Sequence, residues 1–287
     1  MATRKTGWTL LLVALLFPLL IALGTANASS DCSLGTLKGT YGFVGHGTIL
    51  AQLPGLPPPP ALTAGSGIAT FDGNGNLSVE GTQNINGAIS TSTEPATGTY
   101  TVNSDCTYSD ELTVPGGPVF HEAGTITGQG IFQEIHIIDI DPWFINVLTL
   151  KKTPSSECSL ETLKGTYSGG LQGTFVGQFP GFPPPPLPWA EITTHIYDGE
   201  GHFTGENTAH LGGAIIRGTF TGTYTVNSNC SYSAELKTNT GVVINDVGTI
   251  TGSGTFREVQ EIWSVPGTVV SGTLQKTARR AHIAEGL

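Results

Sequence analysis

Cys32-Ser-Leu-Gly-Thr-Leu-Lys-Gly-Thr-Tyr41 and Cys158-Ser-Leu-Glu-Thr-Leu-Lys-Gly-Thr-Tyr167 are almost the same ten residues, written twice in one chain. The match continues downstream. Leu53-Pro-Gly-Leu-Pro-Pro-Pro-Pro60 returns as Phe179-Pro-Gly-Phe-Pro-Pro-Pro-Pro186, and Phe71-Asp-Gly-Asn-Gly-Asn76 as Tyr197-Asp-Gly-Glu-Gly-His202. Gly98-Thr-Tyr-Thr-Val-Asn-Ser104 and Gly124-Thr-Ile-Thr-Gly128 return as Gly222-Thr-Tyr-Thr-Val-Asn-Ser228 and Gly248-Thr-Ile-Thr-Gly252. The two units therefore run over 31–153 and 157–277, each long enough to bury its own core, which makes them two domains.

Within a unit the pattern is that of strands and tight turns. Glycine is abundant (40 residues), charged residues are 12%, and no stretch after the N-terminal segment sustains a 3.6-residue apolar period. The first unit reads as strands near 38–50, 65–72, 76–86, 88–93, 97–104, 106–114, 118–127, 130–140 and 144–152. Turn chemistry such as Asp72-Gly73, Gly116-Gly117 and Gly128-Gln129-Gly130 separates them. About eight short strands in sequence order, joined by hairpins, predict an all-β chain of two tandem antiparallel up-and-down β-barrels. Two β-sandwiches are the alternative, because strand number and alternation do not distinguish the two.

The N-terminus carries Arg4 and Lys5, an apolar run from Trp8 to Leu23 and Ala26-Asn27-Ala28, the order of a secretory signal peptide over residues 1–28. A retained membrane anchor is the competing reading; Pro18 and the shortness of the run count against it. The mature chain is then secreted or periplasmic, with no membrane span after cleavage. Losing Arg4 and Lys5 takes the formal charge from −10 to about −12, which argues against nucleic acid or an anionic membrane surface as partner. Residues 278–287 form a basic tail read as disordered.

Four cysteines in an exported chain predict two disulfides. Cys32 and Cys106 occupy the same places in their unit as Cys158 and Cys230, so the expected pairs are Cys32–Cys106 and Cys158–Cys230. Each closes a loop of roughly 75 residues, worth on the order of 4 kcal/mol by chain entropy. The proline loop between the first two strands is the one long connection. Its second copy carries Phe179, Phe182, Leu187 and Trp189, consistent with a lid on the barrel mouth, a docking surface between domains or a stiff spacer.

Several of these strings together resemble a family of secreted bacterial repeat proteins: Leu37-Lys-Gly-Thr-Tyr-Gly-Phe43, Phe71-Asp-Gly-Asn-Gly-Asn-Leu77, Gly-Thr-Tyr-Thr-Val-Asn and Thr149-Leu-Lys-Lys-Thr153. That family is in turn similar to calycin-like small barrels, the lipocalins and the allene oxide cyclase and dirigent barrels. Gly39-x-Tyr41 with Lys152, and Gly165-x-Tyr167 with Lys276, resemble the lipocalin Gly-x-Trp and its basic partner, with Tyr in place of Trp. The resemblance implies a barrel with a ligand-holding cavity.

Candidate chemistry comes from acids expected on inward faces. With Thr255, Arg257 and Glu261 assigned to solvent, Phe256, Glu258, Gln260 and Ile262 face inward, matched by Phe132, Glu134, His136 and Ile138. On the preceding strand Phe120, Glu122, Gly124 and Ile126 face inward, with Asp246 the counterpart of Glu122. A hairpin centred on Gln129 sets Glu122 opposite His136. Glu122, Glu134 and His136, with Asp246, Glu258 and Gln260, are thus the ligand-binding candidates, since buried carboxyls are costly unless paired or protonated. Glu80, Glu206, Glu111 and Glu235 read as exposed, as do His195, His202 and His210. Asp72-Gly-Asn-Gly-Asn76 has Leu77 and Gln83 where a calcium loop needs Gly and Glu, and reads as a hairpin turn. No metal site, cofactor, nucleophile elbow or phosphate loop is indicated. Three expectations follow: a binding protein for a small, mainly apolar ligand; a cofactor-independent isomerase or cyclase using inward carboxylates; or a structural or adhesive surface protein.

Overall fold

The computed structural model describes residues 32–53, 56–179 and 182–277; the expected signal peptide and basic tail lie outside the described residues. The first unit contains β1 (Gly39–Ile49), β2 (Ala61–Phe71), β3 (Asn76–Ile85), β4 (Ala88–Thr91), β5 (Ala96–Val102), β6 (Thr107–Thr113), β7 (Val119–Thr127), β8 (Glu134–Asp139) and β9 (Phe144–Lys152). The second contains β10 (Gly165–Phe175), β11 (Leu187–Tyr197), β12 (His202–Leu211), β13 (Ala214–Val226), β14 (Ser231–Thr238), β15 (Val243–Thr251), β16 (Glu258–Trp263) and β17 (Thr268–Lys276). Among the described residues no helix is long and apolar enough to cross a membrane.

Strands β10 to β17 close into an eight-stranded antiparallel barrel. In the first unit β2-β1-β9-β8-β7-β6-β5-β3 forms the same ring, closed by β2 against β3, with β4 attached to β3 as a ninth strand. Closure decides for barrels over sandwiches, and it removes the free edges that an open sheet would leave. The ninth strand has a sequence cause. Where the second unit runs unbroken through β13, the first holds two further residues and Pro95, which cannot donate to a ladder and splits the strand into β4 and β5.

Both expected disulfides are present, with Cα–Cα distances of 5.1 Å for Cys32–Cys106 and 5.0 Å for Cys158–Cys230. Each ties the barrel entry to the turn before the fifth strand of the ring in chain order. Beside it a short 3-10 turn (Leu34–Leu37 or Leu160–Leu163) leads into the Gly-x-Tyr strand. Gly39 and Gly165 hold φ of 132° and 127°, a region that a side chain would strain. The tyrosine that follows points inward, and the lysine at the end of the last strand reaches over its ring: Lys152 lies 5.5 Å from the Tyr41 centroid, and Lys276 lies 5.6 Å from that of Tyr167. The Asp72 and Asp198 turns are Asx-type, each carboxylate accepting two backbone N–H groups within its own loop.

The two barrels belong to one compact unit. Ala64 of β2 packs with Ile262 of β16 and Val269 of β17, with Val44, Leu62 and Val247 around them. Asn84 donates to the carbonyls of Trp263 (3.2 Å) and Thr268 (2.5 Å), and Thr249 Oγ1 donates to the Gly67 carbonyl at 2.9 Å. Gly42 makes the approach possible, because a Cβ there would sit 2.5 Å from Cγ2 of Thr249. As a result β16 is buried at all six positions, one face in its own barrel and the other against the first.

Candidate functional site

The structure turns β8 and β16 over relative to the sequence expectation. Gly130–Phe132 and Gly254–Phe256 are 3-10 turns rather than strand, so the connection is longer than a hairpin centred on Gln129. Glu122 consequently pairs with Asp139, three residues beyond His136, and Thr127 pairs with Glu134. Three is odd, so every side chain of β8 changes face. Ile135, Ile137 and Asp139 point inward. Glu134 and His136 lie on the outer face, 3.5 Å apart, and Phe132 and Ile138 are exposed. In the second barrel Val259, Glu261 and Trp263 are the inward set, and Phe256 is exposed. Glu258 and Gln260 instead face the first barrel: Glu258 accepts from Lys151 Nζ at 2.7 Å and from Gln275 Nε2 at 2.8 Å.

Glu122 and Asp246 do point inward, and each is joined by acids that sequence reasoning left out. In the first barrel Asp110, Glu122 and Asp139 gather beside Tyr108, whose hydroxyl donates to Asp110. Burial drives their carboxyls up: Asp110 and Asp139 are pushed to about 6, and Glu122, with two acids beside it, rises well above the usual range.

The second barrel gathers Glu191, Asp246 and Glu261 instead. Together with His195, Asn207 and Trp263 they line a cavity of about 20 Å³, room for about one water molecule. Glu191 Oε1 accepts from Asn207 Nδ2 at 2.8 Å, while Glu191 Oε2, Asp246 Oδ1 and both Glu261 carboxyl oxygens are buried without a hydrogen-bond partner. Burial pushes Glu191 up to about 7, and burial with mutual repulsion carries Asp246 and Glu261 well above the carboxylate range. His195, expected at the surface, is 3% exposed: it shares a hydrogen bond with the Tyr197 hydroxyl at 3.1 Å, and burial lowers it to about 3, so it is a neutral imidazole. A signal for β11 existed. Glu191 and His195 share parity with Trp189 and Tyr197, and Tyr197 repeats the core residue Phe71, whereas Ile192 and Ile196 fall on the other face and are exposed.

The barrel interiors are otherwise filled by rings. Phe175 stacks on Trp189 at 5.1 Å, Trp189 meets Trp263 at 5.3 Å, and Phe179 of the proline loop packs on Phe175 at 5.1 Å, closing one mouth as a lid would. A larger concavity lies elsewhere. A groove of about 500 Å³ lies between the barrels, with Val44, Val147 and Thr149 on one wall and Gly170, Ala190 and Thr273 on the other. His46 and Glu191 are its ionisable lining residues; the Glu191 carboxyl is turned inward to Asn207. Exposed Ile138, Val147 and Ile192 extend its apolar character onto the two lips.

No protein-family profile matches the chain, and no curated protein matches it. Among solved structures it resembles the isotype 1 transferrin binding protein B from serogroup B Neisseria meningitidis, at 8% identity and a TM-score of 0.30 over 85% of this chain and 78% of that one.

Proposed function

We propose that the chain is an exported binding protein that holds a small, mainly apolar ligand in the groove between its barrels. The observation that carries this reading is the groove itself. Its volume of about 500 Å³ is that of a small-molecule site, and its walls set Val44, Val147, Leu171 and Ala190 beside the uncharged polar groups of Thr149, Gln172, Ser271 and Thr273, with few ionisable groups. The binding place differs from the barrel interiors that the calycin resemblance implied, because those interiors are occupied by side chains. Export is supported by the two disulfides, which persist in oxidising compartments. An isomerase or cyclase reading loses its intended constellation, since Glu134 and His136 stand on the outer face and Glu258 at the barrel interface.

The test uses Nile red, an uncharged apolar fluorophore, with the full mature chain. Ala190→Trp and Val147→Lys place bulk or charge at exposed groove positions without touching the core, and each should weaken binding at least about tenfold, a loss of about 1.4 kcal/mol. Thr204→Trp, on the outer face of β12, should bind like the parent. Unchanged binding in both groove variants sinks the proposal.

A further inference from the structure

Leu171 and Glu191 line both the groove and the 20 Å³ acid cavity, so the cavity lies directly beneath one groove wall. Gly170 leaves the backbone of that wall bare on the groove side: a Cβ on it would find only the Glu191 carbonyl oxygen, at 3.3 Å. The cavity holds three carboxyl groups from three strands: Glu191 on β11, Asp246 on β15 and Glu261 on β16. Four of their oxygens are buried without a partner. No Lys or Arg is among the residues that line it. The groups facing the acids are His195 and Tyr197 from β11, Asn207 from β12 and Tyr232 from β14, none of them a cation at neutral pH.

Three carboxyls in such a space can be satisfied as neutral acids, donating to one another or to a single water. As carboxylates they have neither countercharge nor solvent, and their repulsion is relieved by spreading β11, β15 and β16. We infer that the second barrel is a proton-gated wall of the groove: with the three carboxyls protonated it holds the groove in shape, and their ionisation loosens β11 and releases the ligand. This rests on the groove being the binding site.

The direction follows from burial. The folded state favours the protonated acids, so their contribution to stability is full below the ordinary carboxylate range. For Glu191 it is lost as pH rises from 4.5 to about 7, and for Asp246 and Glu261 it is lost higher still. His195 works the other way. Held neutral down to about 3, it adds stability as pH rises to its ordinary 6.5 and changes nothing above that. The acids outnumber it below 6.5 and act alone above. Asp110, Glu122 and Asp139 titrate in the first barrel as well, so the readout must be local.

Hydrogen exchange of residues 187–197 in the full mature chain, corrected for intrinsic rates and compared with the equivalent 61–71, supplies that readout. Between pH 6 and pH 8 protection of 187–197 should fall at least about tenfold, the equivalent of one pK unit, and Nile red affinity should fall several-fold with it. Asp246→Asn with Glu261→Gln should reduce both responses to what Glu191 alone supplies. Should that pair fail to fold, Glu191→Gln, which keeps an acceptor for Asn207, should reduce them. Equal protection at the two pH values overturns the gate, as does a folded variant with the full response. His46→Gln controls for the groove histidine: if it abolishes the pH dependence of Nile red binding, the gate is likewise overturned. The two readings fail separately. Unchanged Nile red binding in both Ala190→Trp and Val147→Lys rejects the groove, whereas absence of the exchange response with these variants still blocking the dye rejects only the gate.

Discussion

The two barrels are nearly identical at one end and different at the other. At the disulfide end Tyr41 meets Phe71 edge-on at 5.4 Å and Phe71 meets Tyr100 at 5.0 Å; in the second barrel Tyr167 meets Tyr197 at 5.5 Å and Tyr197 meets Tyr224 at 5.0 Å. Toward the opposite end the matched positions part company: Ile49 becomes Phe175, Thr63 becomes Trp189 and Asp139 becomes Trp263. The acid clusters share one position, Glu122 and Asp246. The first adds Asp110 and Asp139 where the second has Ala234 and Trp263, and the second adds Glu191 and Glu261 where the first has Gly65 and Ile137. The volume exchanged is compensated locally: Phe43 lies 3.8 Å from where a Gly65 side chain would start, and the second barrel has Gly169 in place of Phe43 and Glu191 in place of Gly65. A duplicated barrel thus keeps the end that closes the ring and can rebuild the remainder, provided volume is conserved.

The largest effect that would break this comparison is at the exchanged mouth. Trp263→Ala removes a buried ring from the Phe175–Trp189 stack and should cost about 3–5 kcal/mol. Asp139→Leu, at the matching position, removes a buried acid and should be neutral or stabilising. Chemical denaturation of the two variants side by side checks this, and a Trp263→Ala loss below about 1 kcal/mol would mean that the mouth is not packed as described.

A smaller effect separates the outer faces. Gly42→Val meets Thr249 and Thr251 of the other barrel and should destabilise by roughly 1–3 kcal/mol through overpacking. Its counterpart Ser168, which shares a hydrogen bond with Thr194 on its own barrel, should accept Val within about 0.5 kcal/mol. Equal melting temperatures for both variants would contradict the close contact of the barrels.

The smallest concerns Glu258, held by Lys151 from the first barrel and by Gln275 from the second, which are themselves matched positions. Lys151→Met leaves a buried carboxylate without its cation but still bonded to Gln275, and should cost about 1 kcal/mol, the low end for losing one partner of a buried acceptor. Gln275→Met should cost less. A double-mutant cycle measures the difference, and a larger loss for Gln275→Met would reverse the assignment.

How much could be read from the chain depends on whether the cause was local. Gly39 and Gly165, the Asp72 and Asp198 turns and Pro95 act within a few residues, so the start of the strand at 76, the strand 144–152 and the break between β4 and β5 are visible in the letters. The repeat placed the cysteines at equivalent points and so paired them. It could not reveal which way β8 and β16 face, because one 3-10 turn adds an odd shift, and both copies carry the same turn, so comparing them repeats the error.

Sequence alone determined an all-β chain, its duplication, its disulfides and its strand order, since hydrogen-bond periodicity, turn chemistry and identity between copies are properties of short segments. Only the tertiary structure decided that Glu258 and Gln260 serve the joint between barrels, that Glu191, Asp246 and Glu261 share one cavity, and that a groove of about 500 Å³ lies outside both rings. Those facts follow from closing eight strands and seating one barrel on another, which brings together residues dozens to hundreds of positions apart. No local pattern encodes which of two equally alternating faces will be covered.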